Sequence, residues 1–305
     1  HLWYYCKVDD TTNNTGNNIN TVKGVGKTIT QANNPTTISA VTGLTYGSTS
    51  NLVTESNKQG TPYYAVGTQL TSSNYSTSGS TTIPTAAGRN AGIYYIYYYI
   101  PATTNYKEKS GNVSVTIGTQ QCNAPTSVAV TTGGYVTWTN SSTSACTTHQ
   151  VKVASGSYAT ATSGVDKNSD IIAATGSRSV SVIAKAPNSN YSDSSATSAS
   201  VTVYAITLAS NDTNKGTVSP TSKNVISGAT VGTSGNNLLI KGKNASNTDV
   251  TLATITPTAK TGYQFSSWSK TSGSLTSAQT ITATFTPINY PLTANPNGGT
   301  NSATT

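Results

Sequence analysis

Apolar and polar side chains alternate in short runs along this chain. Asn112-Val113-Ser114-Val115-Thr116-Ile117, Ser200-Val201-Thr202-Val203-Tyr204 and Gln279-Thr280-Ile281-Thr282-Ala283-Thr284-Phe285 each set every second residue on one side. A period of two predicts strands with one face buried. Between the runs stand clusters of Gly, Asn, Ser and Pro, such as Ser72-Ser73-Asn74 and Asn295-Pro296-Asn297-Gly298-Gly299. These residues tolerate positive φ or bond to their own backbone, and so predict turns. No stretch longer than about 11 residues keeps a 3.6-residue stripe, and the best helix candidate is the short segment 166–174. The predicted fold class is all-β, a series of small β-sandwich modules.

Internal repeats set the expected boundaries. Asn105-Tyr106 leads into the run at 113–117, and Asn190-Tyr191 leads into the run at 201–204; the tyrosines stand 85 residues apart (191 − 106). Tyr204-Ala205-Ile206-Thr207-Leu208 is echoed by Tyr290-Pro291-Leu292-Thr293-Ala294 at an offset of 86 (290 − 204). Residues 2–8 echo residues 93–99, which predicts that the chain is a piece of a longer one. Modules are expected at 1–27 (the end of a truncated unit), 28–119, 120–204 and 205–287, with 288–305 starting a further repeat. Junctions at 118–125 and at Ala205 leave little room for a linker, so a stiff file of modules is expected.

Composition narrows the chemistry. Charged residues are 9% of the 305, and the net +8 comes from 17 Lys and Arg against only 9 Asp and Glu. This is a shortage of acid and not a basic tract, so nucleic acid is not an expected partner. No apolar run reaches the roughly 18 residues of a membrane span, and no signal-peptide pattern occurs within the chain. Met is absent and Phe numbers 2, while 18 Tyr supply most of the aromatic surface, which favours sheet over helix. With His1 and His149 the only histidines, a nucleophile has almost no base to activate it, and neither enzyme activity nor a cofactor is expected. Cys6, Cys122 and Cys146 are odd in number and leave at least one thiol unpaired in a monomer. Cys122 and Cys146 have two readings: a disulfide stapling the start of the 120–204 module to the loop before Gln150, or two separate thiols. The Cys146-x-x-His149 spacing falls short of the four ligands of structural zinc.

Several motifs then gather in order. Thr28-Ile29-Thr30-Gln31-Ala32, Leu44-Thr45-Tyr46-Gly47, Gly60-Thr61-Pro62-Tyr63-Tyr64, Ile83-Pro84-Thr85-Ala86, Ala91-Gly92-Ile93-Tyr94-Tyr95 and Asn105-Tyr106 resemble the bacterial immunoglobulin-like repeats of the MBG kind, found in tandem in very large secreted or wall-attached proteins. Where that family often reads Gly-Thr-Tyr, this chain has Gly92-Ile93-Tyr94, one β-former for another. Pro125, Val136-Thr137-Trp138, Gln150-Val151-Lys152-Val153 and Ser179-Val180-Ser181-Val182 resemble a fibronectin- or immunoglobulin-type module. Gly216-Thr217-Val218, Gly262-Tyr263-Gln264-Phe265-Ser266-Ser267-Trp268 and the run at 281–285 are similar to the Gly-Tyr-x-Phe-x-x-Trp repeats of Listeria and Bacteroides surface proteins, which imply a small, grasp-like β unit. The resemblances imply an extracellular place, at a bacterial cell surface or secreted. Immunoglobulin-like units also decorate virions, and that alternative stays open. No catalytic residue transfers.

The tyrosine run at 94–99 is the most unusual feature. In a strand, Tyr95, Tyr97 and Tyr99 share one face. Such a row has two readings: a platform on which sugar rings or peptide stack, or the face of a sheet core and module junction. Trp138 and Trp268 are expected in cores. A Lys–Asn cross-link from Lys23, Lys27, Lys152 or Lys185 needs a buried acid, and the two glutamates, Glu55 and Glu108, sit in polar, loop-like sequence. Gly24-Val25-Gly26-Lys27-Thr28 lacks the spacing of a phosphate loop. The expected function is a non-catalytic structural stalk or display segment of a long extracellular surface protein. The alternatives are an adhesion module binding glycan or a host surface, or an immunoglobulin-like virion surface protein. Expected partners are neighbouring modules of the same chain, copies of itself, or cell-surface glycan.

Overall fold

The computed structural model describes residues 30–291. The module expected at 1–27, the echo at 2–8, Trp3, Cys6, Lys23, the segment 24–28 and residues 292–305 of the expected further repeat lie outside the described residues. The fold is nearly all β. Among the described residues two helices occur, Tyr75–Ser78 and Asn168–Ile171, of four residues each. The second lies within the predicted segment; the first stands just after Ser72-Ser73-Asn74, where a turn was expected. The described residues part into two compact units between Gln120 and Gln121.

The first unit packs two sheets around one core. Strand Thr37–Ala40 pairs antiparallel with Val53–Ser56. Facing it is a four-stranded sheet in the order Leu44–Thr45, Lys109–Gly118, Gly92–Ile100, Tyr63–Val66. Alternation decides which side of the long strand is buried: Val115 and Ile117 point in, while Ser114 and Thr116 stay exposed. Ile38, Leu52, Val53, Tyr64 and Ile96 complete the core, each large apolar side chain contributing about 1.5–3 kcal/mol relative to exposure.

The second unit holds two cores built on shared strands. Its main sheet runs Ala159–Ala161, His149–Val153, Gly176–Ala184, Thr197–Ser210, Gln279–Pro287, Tyr263–Trp268, with Ser222–Ile226 also paired to Thr197–Ser210. A three-stranded sheet of Val165–Asp166, Tyr135–Thr139 and Thr126–Val130 closes the first core, which includes Val136, Trp138, Val151, Val182 and Val203. A five-stranded sheet of Gly216–Ser219, Asp249–Ala259, Asn237–Lys243, Ala229–Ser234 and Gly273–Leu275 closes the second, which includes Ile206, Leu208, Leu238, Trp268 and Phe285.

Strand Thr197–Ser210 serves both cores by changing face. Val201 and Val203 pack into the first, and Tyr204, Ile206 and Leu208 into the second. Odd positions and then even ones are apolar, so the buried side switches within one strand. Val225 and Ile226 divide in the same way between the second and first cores. A bulge does related work in Tyr263–Trp268: the register against Gln279–Pro287 shifts between Phe265 and Ser267. The extra residue lets Phe265 and Trp268, three positions apart, pack against the same core.

Candidate functional site

The tyrosine strand Gly92–Ile100 lies inside the four-stranded sheet of the first unit, between Tyr63–Val66 and Lys109–Gly118. Ile96 and Ile100 are fully buried, and Tyr94 and Tyr98 pack against the core that holds Ile96. Tyr98 crosses Gly111, its cross-strand partner, so closely that a Cβ there would stand 2.6 Å from the tyrosine hydroxyl.

Tyr95, Tyr97 and Tyr99 occupy the opposite face, together with Ile93, but their surroundings differ. Tyr95 is 53% exposed and Ile93 is 64% exposed, Tyr97 is half-buried, and Tyr99 is only 5% exposed. What covers Tyr99 is Tyr75 on the short helix, whose ring stacks on it with centroids 4.7 Å apart while meeting Tyr63 edge-on at 4.8 Å. The face is therefore graded: open at Ile93 and Tyr95, closed at Tyr99. Beside the open end the neighbouring strand presents Asn112, Ser114 and Thr116, all exposed, opposite Tyr97, Tyr95 and Ile93.

Both glutamates of the chain are held by tyrosines. Tyr64 donates to Glu55 Oε1 at 2.5 Å, and Lys58 Nζ lies 2.7 Å from Glu55 Oε2. Glu55 stands on strand Val53–Ser56, not in the loop-like setting expected from its neighbours. Burial by itself raises the Glu55 carboxyl; hydrogen bonds from Lys58 and Tyr64 outweigh it and leave the group below its ordinary value. Tyr64 is pushed well above the usual phenol range, first by burial and then by Glu55. Tyr99 donates to Glu108, and burial together with that carboxylate pushes its phenol up to about 12.

In the second unit the structure joins Cys122 to Cys146, with Cα atoms 5.9 Å apart and a sequence separation of 24. The bond packs beside Ala184 and Tyr191. His149, three residues on, is buried, and its Nε2 accepts from the Ser141 backbone N–H at 3.1 Å. A histidine accepting through Nε2 is neutral there, and burial holds its pKa below the ordinary value. The ring also lies 5.9 Å from that of Trp138. These contacts make His149 part of the wall that holds the 141–146 loop.

Lys152 lies over the Tyr158 ring at 4.9 Å and Lys185 pairs with Asp193 at 2.7 Å, so each has a partner other than an asparagine side chain. An open cleft of about 370 Å³ borders the turn 154–157, Lys167, Asp170 and Arg178. Its charges are engaged: Arg178 donates to the Ile171 and Asp170 carbonyls, both at 3.1 Å, and Lys167 faces Asp170 at 3.4 Å. Trp138 and Trp268 are both buried; Trp268 Nε1 donates to the Asn236 carbonyl at 2.8 Å. Among the described residues no helix is long and apolar enough to cross a membrane, and no three His, Cys, Asp or Glu side chains gather as metal ligands. No protein-family model, no curated protein and no solved structure matches this chain.

Proposed function

We propose that this chain is a non-catalytic spacer and display segment of a long extracellular protein, with tandem immunoglobulin-like modules that hold other parts of that protein away from its anchor. The observation that carries the reading is strand Thr197–Ser210, which leaves one apolar core and enters the next with no linker between them. A spacer needs joints that do not fold back, and a strand bonded on both sides of its switch point resists bending far better than a loop does. The joint is reinforced by the Gly133 N–H donating to the Lys243 carbonyl at 3.0 Å, the Lys243 N–H donating to Thr132 Oγ1 at 2.9 Å and Asn224 Nδ2 donating to the Ile172 carbonyl at 2.9 Å. The Cys122–Cys146 bond supports an oxidising, extracellular setting.

The test is a pair of spin labels at Ser157 and Ser272, exposed positions on the two lobes of the second unit, in a Cys6→Ser background. A single narrow distance distribution is the expected result. A broad or two-peaked distribution overturns the spacer reading.

A second reading has its own observation: Ile93 and Tyr95 are exposed side by side on a sheet face bordered by Asn112, Ser114 and Thr116. A ring flanked by hydroxyls and an amide suits a sugar, combining stacking area with hydrogen-bond partners. Saturable binding on a glycan array, lost in Tyr95→Ser, would establish adhesion as a role of the segment; no saturable ligand leaves the spacer reading alone.

A further inference from the structure

The outer face of the four-stranded sheet in the first unit is laid out in cross-strand rows. Tyr63 stands opposite Tyr99, and Ala65 opposite Tyr97. In the following row Gly67 takes the same place, its N–H donating to the Tyr95 carbonyl at 2.9 Å. On the other side of the tyrosine strand these rows end in Ser110, Asn112 and Ser114. Alternation along each strand puts the side chains of these rows on one side of the sheet.

The rows differ in what stands beside the central tyrosine. In the first, aromatic rings fill the space: Tyr75 lies on Tyr99 with its plane only 20° off and meets Tyr63 edge-on. In the next two rows the neighbour shrinks to the methyl group of Ala65 and then to the bare backbone of Gly67. A Cβ built on Gly67 would meet no atom within 4 Å. One flank of Tyr97 and Tyr95 is therefore an open trough, floored by small residues and stopped at one end by the Tyr63, Tyr75 and Tyr99 rings. Neither of its rows contains a charged residue. Tyr75 supplies the chain's own example of a six-membered ring laid on this face.

We propose that the trough beside Tyr95 and Tyr97 takes a neutral polysaccharide of the β-linked, all-equatorial kind, lying along the tyrosine strand. This deepens the adhesion reading and rests on it: that reading needs only the exposed Tyr95, whereas the trough adds Tyr97, the small floor and a chemical class. The two phenols are two residues apart on one strand, about 6.6–6.8 Å, so each meets a different sugar ring of an extended chain. A pyranose with equatorial hydroxyls offers a flat C–H face to an aromatic ring, while its hydroxyls point outward from the ring edge. Asn112 and Ser114, on the far side of the tyrosines, are exposed and carry the donors and acceptors that such hydroxyls need. An axial hydroxyl would hold the sugar off the phenol and lose its water without a partner. An acidic sugar would bring a carboxylate into rows that hold no cation. A peptide adding to the sheet would need the free edge of Tyr63–Val66, but that edge is already bonded at Tyr64, whose N–H and carbonyl pair with Ser80 at 2.7 and 2.9 Å.

The experiment is calorimetric titration of the full chain with cellohexaose, maltohexaose and hexagalacturonate. Saturable binding of cellohexaose alone is expected. Tyr95→Ser and Tyr97→Ser should each weaken it about tenfold. Ala65→Tyr places in the second row the residue that Tyr63 is in the first; it fills the trough, leaves both phenols in place, and should abolish binding. An unchanged melting transition of the first unit shows that each variant is folded, and where Ala65→Tyr lowers it, Ala65→Leu and Tyr97→Ser carry the same comparison. Cellohexaose that binds the wild type, Ala65→Tyr and Tyr97→Ser alike, but not Tyr95→Ser, overturns the trough and keeps adhesion through Tyr95. Hexagalacturonate or maltohexaose binding as tightly as cellohexaose overturns the chemical class. Binding of none of the three overturns the proposal, while another glycan held on the array and lost in Tyr95→Ser still keeps the adhesion reading. A dimer in sedimentation that Tyr95→Ser dissolves, with no sugar bound, gives the face to a second copy of the chain and overturns both.

Discussion

The two units solve the same problem by different chemistry. Residues 30–120 close one core and seal its margins with phenol–carboxylate pairs, Tyr64 with Glu55 and Tyr99 with Glu108, the second roofed by Tyr75. Residues 121–291 hold two cores, share Thr197–Ser210 and Ser222–Ile226 between them, and use a disulfide and close backbone contact in place of tyrosine caps. Boundaries drawn from sequence repeats at 119/120 and 204/205 thus differ in kind. Close to the first, between Gln120 and Gln121, the described residues part into two compact units; at the second the chain is in the middle of a strand. Cooperativity follows shared burial and not spacing in the sequence.

The sharpest way to break this comparison is a cavity. Phe285 is 1% exposed and lies 6.0 Å from Phe265 in the second core, so Phe285→Ala should cost the second unit about 3–5 kcal/mol. If its two lobes are one cooperative body, hydrogen exchange should quicken at Val151 and Val182 in the first core as well as at Leu238 and Ile240 in the second. Acceleration confined to the second pair would divide the unit at 204/205. The disulfide gives the next largest effect. Reduction, or Cys122→Ser with Cys146→Ser, removes a cross-link over 24 residues, for which about 2–4 kcal/mol is the ordinary cost. The melting transition of the second unit should drop while that of the first stays in place; a matching shift in both would contradict their separation. Smaller again is Gly242→Ala. A Cβ there would stand 2.7 Å from the Gly133 backbone, and forcing the lobes apart by that much should cost about 1–3 kcal/mol. Thermal denaturation of the variant would measure it, and an unshifted second transition would show that the lobes do not press on each other at this point.

Much of the fold was legible in the residues. The alternation at 113–117, 200–204 and 279–285 falls inside Lys109–Gly118, Thr197–Ser210 and Gln279–Pro287. The shared strand also left a mark that can be read without coordinates: apolar residues at 201 and 203 give way to 204, 206 and 208, a slip of one position, and a slip of one in a strand moves the buried side to the other face. What could not be read was everything held by distant partners. That Tyr95, Tyr97 and Tyr99 share a face follows from period two, but that Tyr99 is roofed depends on Tyr75, 24 residues earlier (99 − 75) in a polar segment with no helical stripe. Glu55 looked solvated because its sequence neighbours are polar, while Tyr64, its partner from the facing sheet, is nine residues away. Gly133 and Gly242 are ordinary turn and strand glycines until the two backbones are seen to touch.

The same contrast should appear, more faintly, in the response to pH, and the signs follow from the shifts. His149 is held below its ordinary value of 6.5, so the unfolded chain binds a proton at a pH where the folded one does not. Stability from this group is complete above about 6.5 and is lost as pH falls toward the folded value. Glu55 departs from 4.5, and Asp193, Asp212 and Asp249 depart from 3.8, all downward. Their stabilisation is lost only at lower pH, as each is protonated. Between about pH 6.5 and 4.5, then, the one of these five groups that titrates is His149, in the second unit, and the transition of that unit alone should fall. Alkali reverses the roles. Tyr99 is raised from 10.0 to about 12 and Tyr64 is raised as well; the unfolded chain releases these protons first, so the first unit loses stability as pH climbs above 10. Melting curves across pH 4.5–7 and 9–11.5, with tyrosinate absorbance followed in the alkaline series, would show each unit moving in its own range. Replacing His149 by Gln should flatten the acid limb and leave the alkaline one intact, because the two limbs belong to groups in different cores.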